Sequence, residues 1–406
     1  VAAGFICLWI NAGVGFYSLP VFFVELTTAF GWGRGVTATG ISIATLLSGI
    51  ASPLVGLLIS RYGPRKVIIA GALIMSTAFV LFSRMQTLWQ YYCICVLLAA
   101  GWAFSGTIPT SYSVSDWFEK KRGRAMGVMM VGVGLGGLTF APLTRRLIDW
   151  FDWQTAFLAY GVFISLVLIP VVGRIFRQRP AEHGVLADGE VSADASTGQS
   201  QAGSIAGVPW TFRDAVRTRT FWAISVVFIL VTFGQTAILI HQVAFFQDIG
   251  ISPEEATGAL AFCALLGTVG KLFFGAMADR YPARFAMVLC FGLQAIGTVL
   301  LLSTPALGSP FWFVIVWGFA MGGVIALEPL IVAECFGLHA YGVILGTVYV
   351  FITIGAAMGP PFAGFVFDMN QSYLLALVVF AVTYVLAAGL SLLAIPPRLS
   401  APVEPS

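Results

Sequence analysis

Twelve apolar runs, each long enough to cross a lipid bilayer, are arranged along this chain as six, a polar break, and six more. They lie at about 2–28, 37–59, 66–85, 89–114, 124–143 and 154–175, then 221–247, 256–278, 283–303, 310–335, 340–366 and 372–395. A membrane helix needs ~20 apolar residues, and the 59% of hydrophobic residues in 406 amount to about 240, enough for about twelve helices. One soluble core stops growing near ~250–300 residues and cannot hide that much apolar surface. Charged residues make up only 10% of the chain, against ~25% in an ordinary soluble domain, and the mean hydropathy is +0.93. A closed barrel would show ~10-residue alternation, which is absent, so the spans must be helices. The expected fold is an all-α polytopic membrane protein of twelve transmembrane helices in two pseudo-symmetric six-helix bundles. Cytosolic enzymes and nucleic-acid binders are excluded.

The polar break contains Pro180, Glu182, Asp188, Glu190 and Asp194, followed by the low-complexity run Ser196–Ser204. Such composition cannot bury enough apolar surface to order itself and is read as a flexible linker. The expected division is a first bundle over 1–177, a linker over 178–216, a second bundle over 217–397 and a tail over 398–406. Trp210 to Arg219 has the pattern of a short amphipathic helix feeding the seventh span. Orientation follows from Lys and Arg. With the N-terminus cytoplasmic, that side collects Arg61, Arg65, Lys66, Lys120, Lys121, Arg122, Arg124, Arg174, Arg177, Arg179, Arg213, Arg217, Arg219, Arg280, Arg284 and Arg398. Only Arg34, Arg84, Arg145 and Arg146 fall on the other face, and Lys271 stays inside the membrane. The positive-inside rule therefore puts both termini and the linker in the cytoplasm, and the expected location is a plasma membrane, a bacterial inner membrane.

Two loops share wording at equivalent places of the two halves. After the second span, Gly56 leads through three apolar residues to Ser60-Arg61-Tyr62-Gly63-Pro64-Arg65-Lys66. After the eighth, Gly275 leads through three more to Asp279-Arg280-Tyr281-Pro282-Ala283-Arg284. The pair resembles the signature of the major facilitator superfamily; two unrelated basic loops obeying the positive-inside rule are the plainer alternative. The resemblance implies two matching six-helix repeats and a cytoplasmic gate formed by Arg61, Arg65, Asp279 and Arg280. Ser60 stands where the first loop normally carries an acid, which implies a weaker latch in that half. Further stretches, Phe30-Gly31-Trp32-Gly33-Arg34, Trp117-Phe118-Glu119-Lys120-Lys121-Arg122-Gly123, Arg179-Pro180-Ala181-Glu182-His183-Gly184 and Gly359-Pro360-Pro361, are similar to the monocarboxylate porter and oxalate/formate antiporter branch. That similarity implies carriage of a small organic anion by alternating access.

Two charges sit where a charge costs roughly 2.5–3.5 kcal/mol: Lys271 in the eighth span and Glu328 in the tenth. Both lie about four or five residues past their span centres, roughly 6–8 Å to the cytoplasmic side of the midplane. Equal depth permits an ion pair. Lys271 shares its helix with a stripe of small or polar residues, Ala264, Gly267, Thr268, Gly275 and Ala278. In the monocarboxylate carriers this span bears an Arg with an Asp one turn before it; Lys271 matches the Arg, and Gly267 replaces the Asp. The resemblance thus carries over the substrate cation and not the proton relay of that Asp. Lysine is a point charge without the bidentate fork of arginine, so recognition should be less strict. Two roles stand open for Lys271: substrate cation, or structural partner of Glu328.

Other polar groups are candidates for substrate contact: Asn11 and Tyr17 in the first span, Tyr112 in the fourth, Gln235 and His241 in the seventh, and Tyr349 in the eleventh. Each has a plain alternative, because a buried Tyr or His needs some hydrogen-bond partner anyway. Gly132-x-Gly134-x-x-Gly137 matches a dinucleotide-binding pattern in form only: no strand precedes it and it lies mid-membrane. Small residues that let helices approach closely are the better reading. The six cysteines fall in or at the ends of apolar runs and are read as plain thiols, with no metal site and no cofactor.

The functional expectation is a secondary transporter of a small organic monocarboxylate, coupled to protons through Glu328 and Lys271. If Glu328 rests on Lys271, an arriving carboxylate displaces it, and anion and proton load together. A single intramembrane cation argues for a monoanion. The close alternative is an anion exchanger for (di)carboxylates of the oxalate/formate type. A channel would need rings of like charge or a filter loop, and a membrane enzyme would need clustered acids, His ligands or a nucleophile with its base. The expected partners are the organic anion, protons and the bilayer, with a monomer as the working unit.

Overall fold

A computed structural model describes residues 1–118, 122–175, 210–337 and 340–397. Most of the expected linker, from Pro180 through Ser204, the Arg179–Gly184 motif, Glu119, Lys120, Lys121, Arg177 and the 398–406 tail lie outside the described residues. The described residues are helical and contain no strand. Span 1 is Ala2–Phe30, span 3 Pro64–Phe82, span 4 Leu88–Val114, span 5 Ala125–Trp150 and span 6 Trp153–Arg174. Span 7 is Arg219–Asp248, span 8 Pro253–Arg280, span 9 Ala283–Leu307, span 10 Phe311–Phe336, span 11 Tyr341–Asn370 and span 12 Leu374–Ser391. Span 2 is a broken helix, Arg34–Ile50 followed by Ser52–Tyr62 at 49°. Pro53 opens its second piece; lacking an N–H and clashing with the preceding turn, proline is tolerated at a helix start and not inside one.

Other departures from a straight helix have similar local causes. Span 1 contains a π-turn at Gly13–Tyr17 and span 6 another at Ile164–Leu168, just before Pro170. Span 4 breaks at Gly106, three residues ahead of Pro109. Span 5 continues to Trp150 instead of ending near 143, so Arg145 and Arg146 are helical and do not stand in a loop. The Arg145 guanidinium is held by Glu25 of span 1 at 2.5 Å and by Asp149 one turn on, which satisfies both a cation and a carboxylate that would otherwise oppose burial. Before span 7, a short helix at Phe212–Val216 is capped by Thr211, and Thr218 caps span 7 itself, as expected for Trp210–Arg219.

The neighbour relations repeat with a period of six spans. Span 1 packs on 5, span 2 on 4, span 3 on 4 and span 3 on 6; in the second half span 7 packs on 11, 8 on 10, 9 on 10 and 9 on 12. The halves meet where span 5 packs on 8 and span 2 on 11, with the Leu19–Phe30 part of span 1 against span 7. Among the described residues, counting the broken span 2 as one crossing gives twelve, which puts the start of span 1 and the end of span 12 on one face, here called the terminal face. The glycines of span 5 divide between two neighbours. A Cβ on Gly132 or Gly136 would lie 2.6 Å from Phe5 O or 2.5 Å from Trp9 O of span 1, whereas one on Gly134 or Gly137 would meet Thr268 or Ala264 of span 8. The pattern Gly132-x-Gly134-x-x-Gly137 is thus two packing stripes on one helix.

Candidate functional site

The two interfaces between the halves behave alike. At span 5 on span 8, a Cβ on Gly134 would fall 1.8 Å from Thr268 Oγ1; two turns toward the terminal face, on the same sides of these helices, Gly127 and Gly275 meet nothing within 4 Å. At span 2 on span 11, a Cβ on Gly49 would fall 2.5 Å from Thr353 Cγ2, and seven residues further Gly56 and Gly346 meet nothing within 4 Å. Seven residues are about 10 Å of helix. The halves therefore touch from mid-membrane to the opposite face and part toward the terminal face.

Where they begin to part lies a cavity of about 110 Å³ lined by Phe16, Tyr17, Gln235, Thr236, Leu239, Ala264, Gly267, Lys271, Met321, Gly322 and Ile325. Each wall has a local reason. The π-turn of span 1 presents Phe16 and Tyr17, and it is pinned by Ser18, whose hydroxyl donates to Gly13 O at 3.0 Å and accepts from Thr144 at 2.8 Å. Spans 8 and 10 cross in near contact: a Cβ on Gly267 would lie 3.0 Å from Met321 Cε, and one on Gly322 would lie 1.8 Å from Gly267 O. That crossing leaves Lys271, one turn past Gly267, at the cavity wall. Gln235 donates to Met321 O at 3.4 Å and accepts from Gln294 at 3.4 Å, both long bonds. The Lys271 ammonium and the Tyr17 hydroxyl have no hydrogen-bond or ion-pair partner among the described residues. A partly buried cation without a counter-ion is costly unless an anion joins it.

Of the seven expected contact residues, Lys271, Tyr17 and Gln235 line this cavity. Asn11 is tied inside the first half, its amide donating to Ser105 Oγ at 2.8 Å. His241 is buried toward the face opposite the termini, with Nδ1 2.9 Å from Tyr373 Oη and Nε2 2.9 Å from Pro360 O. Tyr112 and Tyr349 lie outside the cavity lining and are 40% and 46% exposed. Lys271 and Glu328 share a depth, since Gly267 and Gly322 are opposed and the two residues follow by four and six positions. They are nonetheless unpaired: among the described residues no ion pair joins them. In this conformation the pairing expected from their equal depth is not formed; depth alone does not determine how each helix is rotated.

The four residues expected to form a gate, Arg61, Arg65, Asp279 and Arg280, make no bond between the halves among the described residues in this conformation. Arg65 donates to the Gly173 carbonyl of its own half, Arg61 sits over its neighbour Tyr62 at 5.3 Å, and Asp279 and Arg280 are exposed at the end of span 8. The parting of the halves at that face is the reason. Sequence reasoning did not name Phe16, Leu239, Met321 and Ile325, which are apolar residues like most of the chain until the helices are assembled.

The model of the family described as "Major Facilitator Superfamily" matches residues 4–360 and 247–406. Among similar proteins, "Monocarboxylate transporter 13" of Bos taurus is 27% identical over 383 residues, covering 93% of this chain and 84% of that protein. "Monocarboxylate transporter 12" of Mus musculus is 24% identical over 385 residues, covering 87% and 76%. "Uncharacterized MFS-type transporter YcxA" of Bacillus subtilis (strain 168) is 24% identical over 393 residues, covering 92% and 90%. Among solved structures, a bacterial homolog to the human lysosomal transporter Spinster, inward-facing and occupied, superposes with a TM-score of 0.76 at 16% identity, covering 97% of this chain and 95% of that one. The repeat of six spans, the cavity between the halves and the family match over nearly the whole chain agree: this chain belongs to the major facilitator superfamily.

Proposed function

We propose that this protein is a secondary transporter that carries a small organic monocarboxylate by alternating access, with Lys271 as the counter-ion of the substrate carboxylate. The observation that carries the reading is the Lys271 ammonium at the wall of the central cavity, which, like the Tyr17 hydroxyl in the same lining, has no partner among the described residues. The apolar remainder of the lining, Phe16, Leu239, Met321 and Ile325, suits the hydrocarbon part of such an acid. The names of the relatives support the same class. Proton symport through Glu328 is the coupling we assign: Glu328 is buried with no ion-pair partner among the described residues, where an ionised carboxylate is costly, so its charge state follows that of its surroundings as the halves move. Arg61, Arg65, Asp279 and Arg280 form the gate on the terminal face when it closes. The Lys and Arg distribution supports cytoplasmic termini; we place the protein in a bacterial inner membrane, working as a monomer.

Anion exchange is the second reading, favoured by the lack of a Lys271–Glu328 ion pair among the described residues, since exchange requires no titrating acid. Counterflow in liposomes tests the transporter reading: a carrier exchanges labelled for unlabelled carboxylate, whereas a channel does not and an enzyme alters the compound. Absence of counterflow across a panel of monocarboxylates from acetate to phenylacetate would overturn it. Uptake driven by an imposed pH gradient separates symport from exchange.

A further inference from the structure

The face opposite the termini carries a polar cluster that joins the halves. Arg34, the first residue of span 2, grips Asp248 at the end of span 7 in a two-pronged ion pair, Nη1 to Oδ2 at 2.5 Å and Nη2 to Oδ1 at 2.8 Å. Its Nη1 also donates to Tyr373 Oη at 2.9 Å, and its guanidinium lies 3.9 Å from the centre of the Phe367 ring. Asp368 of span 11 accepts from the backbone N–H of Arg34 at 2.9 Å and of Gly35 at 2.8 Å. It thereby caps the N-terminus of span 2, where a carboxylate is favoured by unpaired amides and by the helix dipole. Gly33, Gly35 and Gly364 allow the approach: a Cβ on Gly364 would lie 2.5 Å from Gly35 Cα, and one on Gly33 would lie 2.7 Å from Asp368 Oδ2. His241 braces the cluster from beneath. Tyr373 bonds to His241, His241 to the Pro360 carbonyl, and Phe23 of span 1 stands edge-on to the imidazole at 4.8 Å.

Every donor to the two carboxylates comes from the first half, and both carboxylates come from the second. We propose that Arg34, Asp248 and Asp368 form the latch that holds the halves shut on the face opposite the termini, and that the central cavity opens to that face only when this cluster breaks. The proposal rests on alternating access but on no particular substrate. Arg34 and Asp248 side chains are 18% and 31% exposed, so the ion pair is partly desolvated and stronger than a surface pair. The two-pronged geometry adds strength that a lysine could not reproduce. Asp248 and Asp368 hold the same cation-bearing segment through different groups, one by charge and one by backbone amides, so the latch fails in steps when one is removed.

The test is a distance measurement between spin labels on Ala29→Cys and Glu254→Cys, exposed positions on the two halves at this face, in a background lacking the native cysteines. Arg34→Ala should raise the population with separated labels about tenfold or more. Arg34→Lys should give an intermediate shift, and the Arg34→Ala/Asp248→Ala double variant little beyond Arg34→Ala alone, because the two residues act on one another. If Arg34→Ala does not fold, Asp248→Asn carries the same expectation with a smaller shift. Unchanged distance distributions in the folded variants would overturn the latch. The measurement needs no substrate, so that result would leave the carboxylate reading standing; absence of counterflow with intact distance shifts would do the reverse.

Discussion

Gly134→Ala is expected to push the protein out of the conformation described above. The added methyl would lie 1.8 Å from Thr268 Oγ1, 3.1 Å from Thr268 Cβ and 2.9 Å from the Ala264 carbonyl oxygen. Thr268 is β-branched and its hydroxyl points to Ala264 O at 3.3 Å, so it has little freedom to turn away, and the carbonyl moves only with the helix. Overpacking of this kind costs ~1–3 kcal/mol. Alanine also gains about 1 kcal/mol of helix propensity over glycine, but span 5 is helical in both states, so that gain cancels from the comparison. The ratio of terminal-face-open to terminal-face-closed molecules should therefore fall by about 5- to 150-fold. Gly127→Ala is the control with the opposite sign. It lies on the same side of span 5, its methyl would meet nothing within 4 Å, and it burdens only the state in which the terminal face has closed. The assay is the distance between spin labels on Ser60→Cys and Val343→Cys, exposed positions near that face on the two halves. Equal distance distributions for Gly134→Ala and wild type, in a folded sample, would refute the claim that this contact defines the state.

Lys271→Gln is expected to weaken binding of any transported monocarboxylate by about 30-fold or more, because a buried charge loses its partner; Lys271→Arg should keep part of it, and thermal-shift titration with the carboxylate panel checks both. Glu328→Gln should retain counterflow but lose accumulation driven by a pH gradient, and full accumulation in that variant would remove Glu328 from the coupling. At the start of span 6, Asp152 caps the helix by accepting from Thr155 N at 2.5 Å, and that bond holds its carboxyl below its ordinary 3.8. A depressed value means the cap is fully formed above about pH 4 and is lost as the pH falls through the lowered value; Asp152→Ala should cost about 1 kcal/mol at neutral pH and nothing in acid, read as the difference in melting temperature between the two conditions. A cysteine at Ser200 should resist an impermeant reagent added outside right-side-out vesicles, and efficient labelling would overturn the orientation.

Much of the architecture is legible in the chain because a bilayer leaves a segment few choices. An apolar run of ~20 residues must become a helix to satisfy its own backbone, so the runs 256–278 and 310–335 foretold the helices Pro253–Arg280 and Phe311–Phe336. The repeated loops at Gly56 and Gly275 announced two similar halves. Lys271 stood out for the same reason: a charge is rare in such a run, and its depth follows from counting residues.

Neighbours and rotations were not legible, because they depend on which side of each helix meets which other helix. Glu328 matches Lys271 in depth yet forms no ion pair with it among the described residues, and His241, polar like Gln235, is bonded to Tyr373 away from the cavity. Arg34 counted from sequence only as one positive charge on the sparsely charged face. Asp248 and Asp368 lie 214 and 334 residues away along the chain, so the latch they form with Arg34 exists only once spans 2, 7 and 11 converge. The sequence by itself determined which segments cross the membrane, because the bilayer tests each segment alone. Tertiary structure decided which polar groups share a site, because that test is made by the surfaces of other helices, and their rotation is a property of the whole packed molecule.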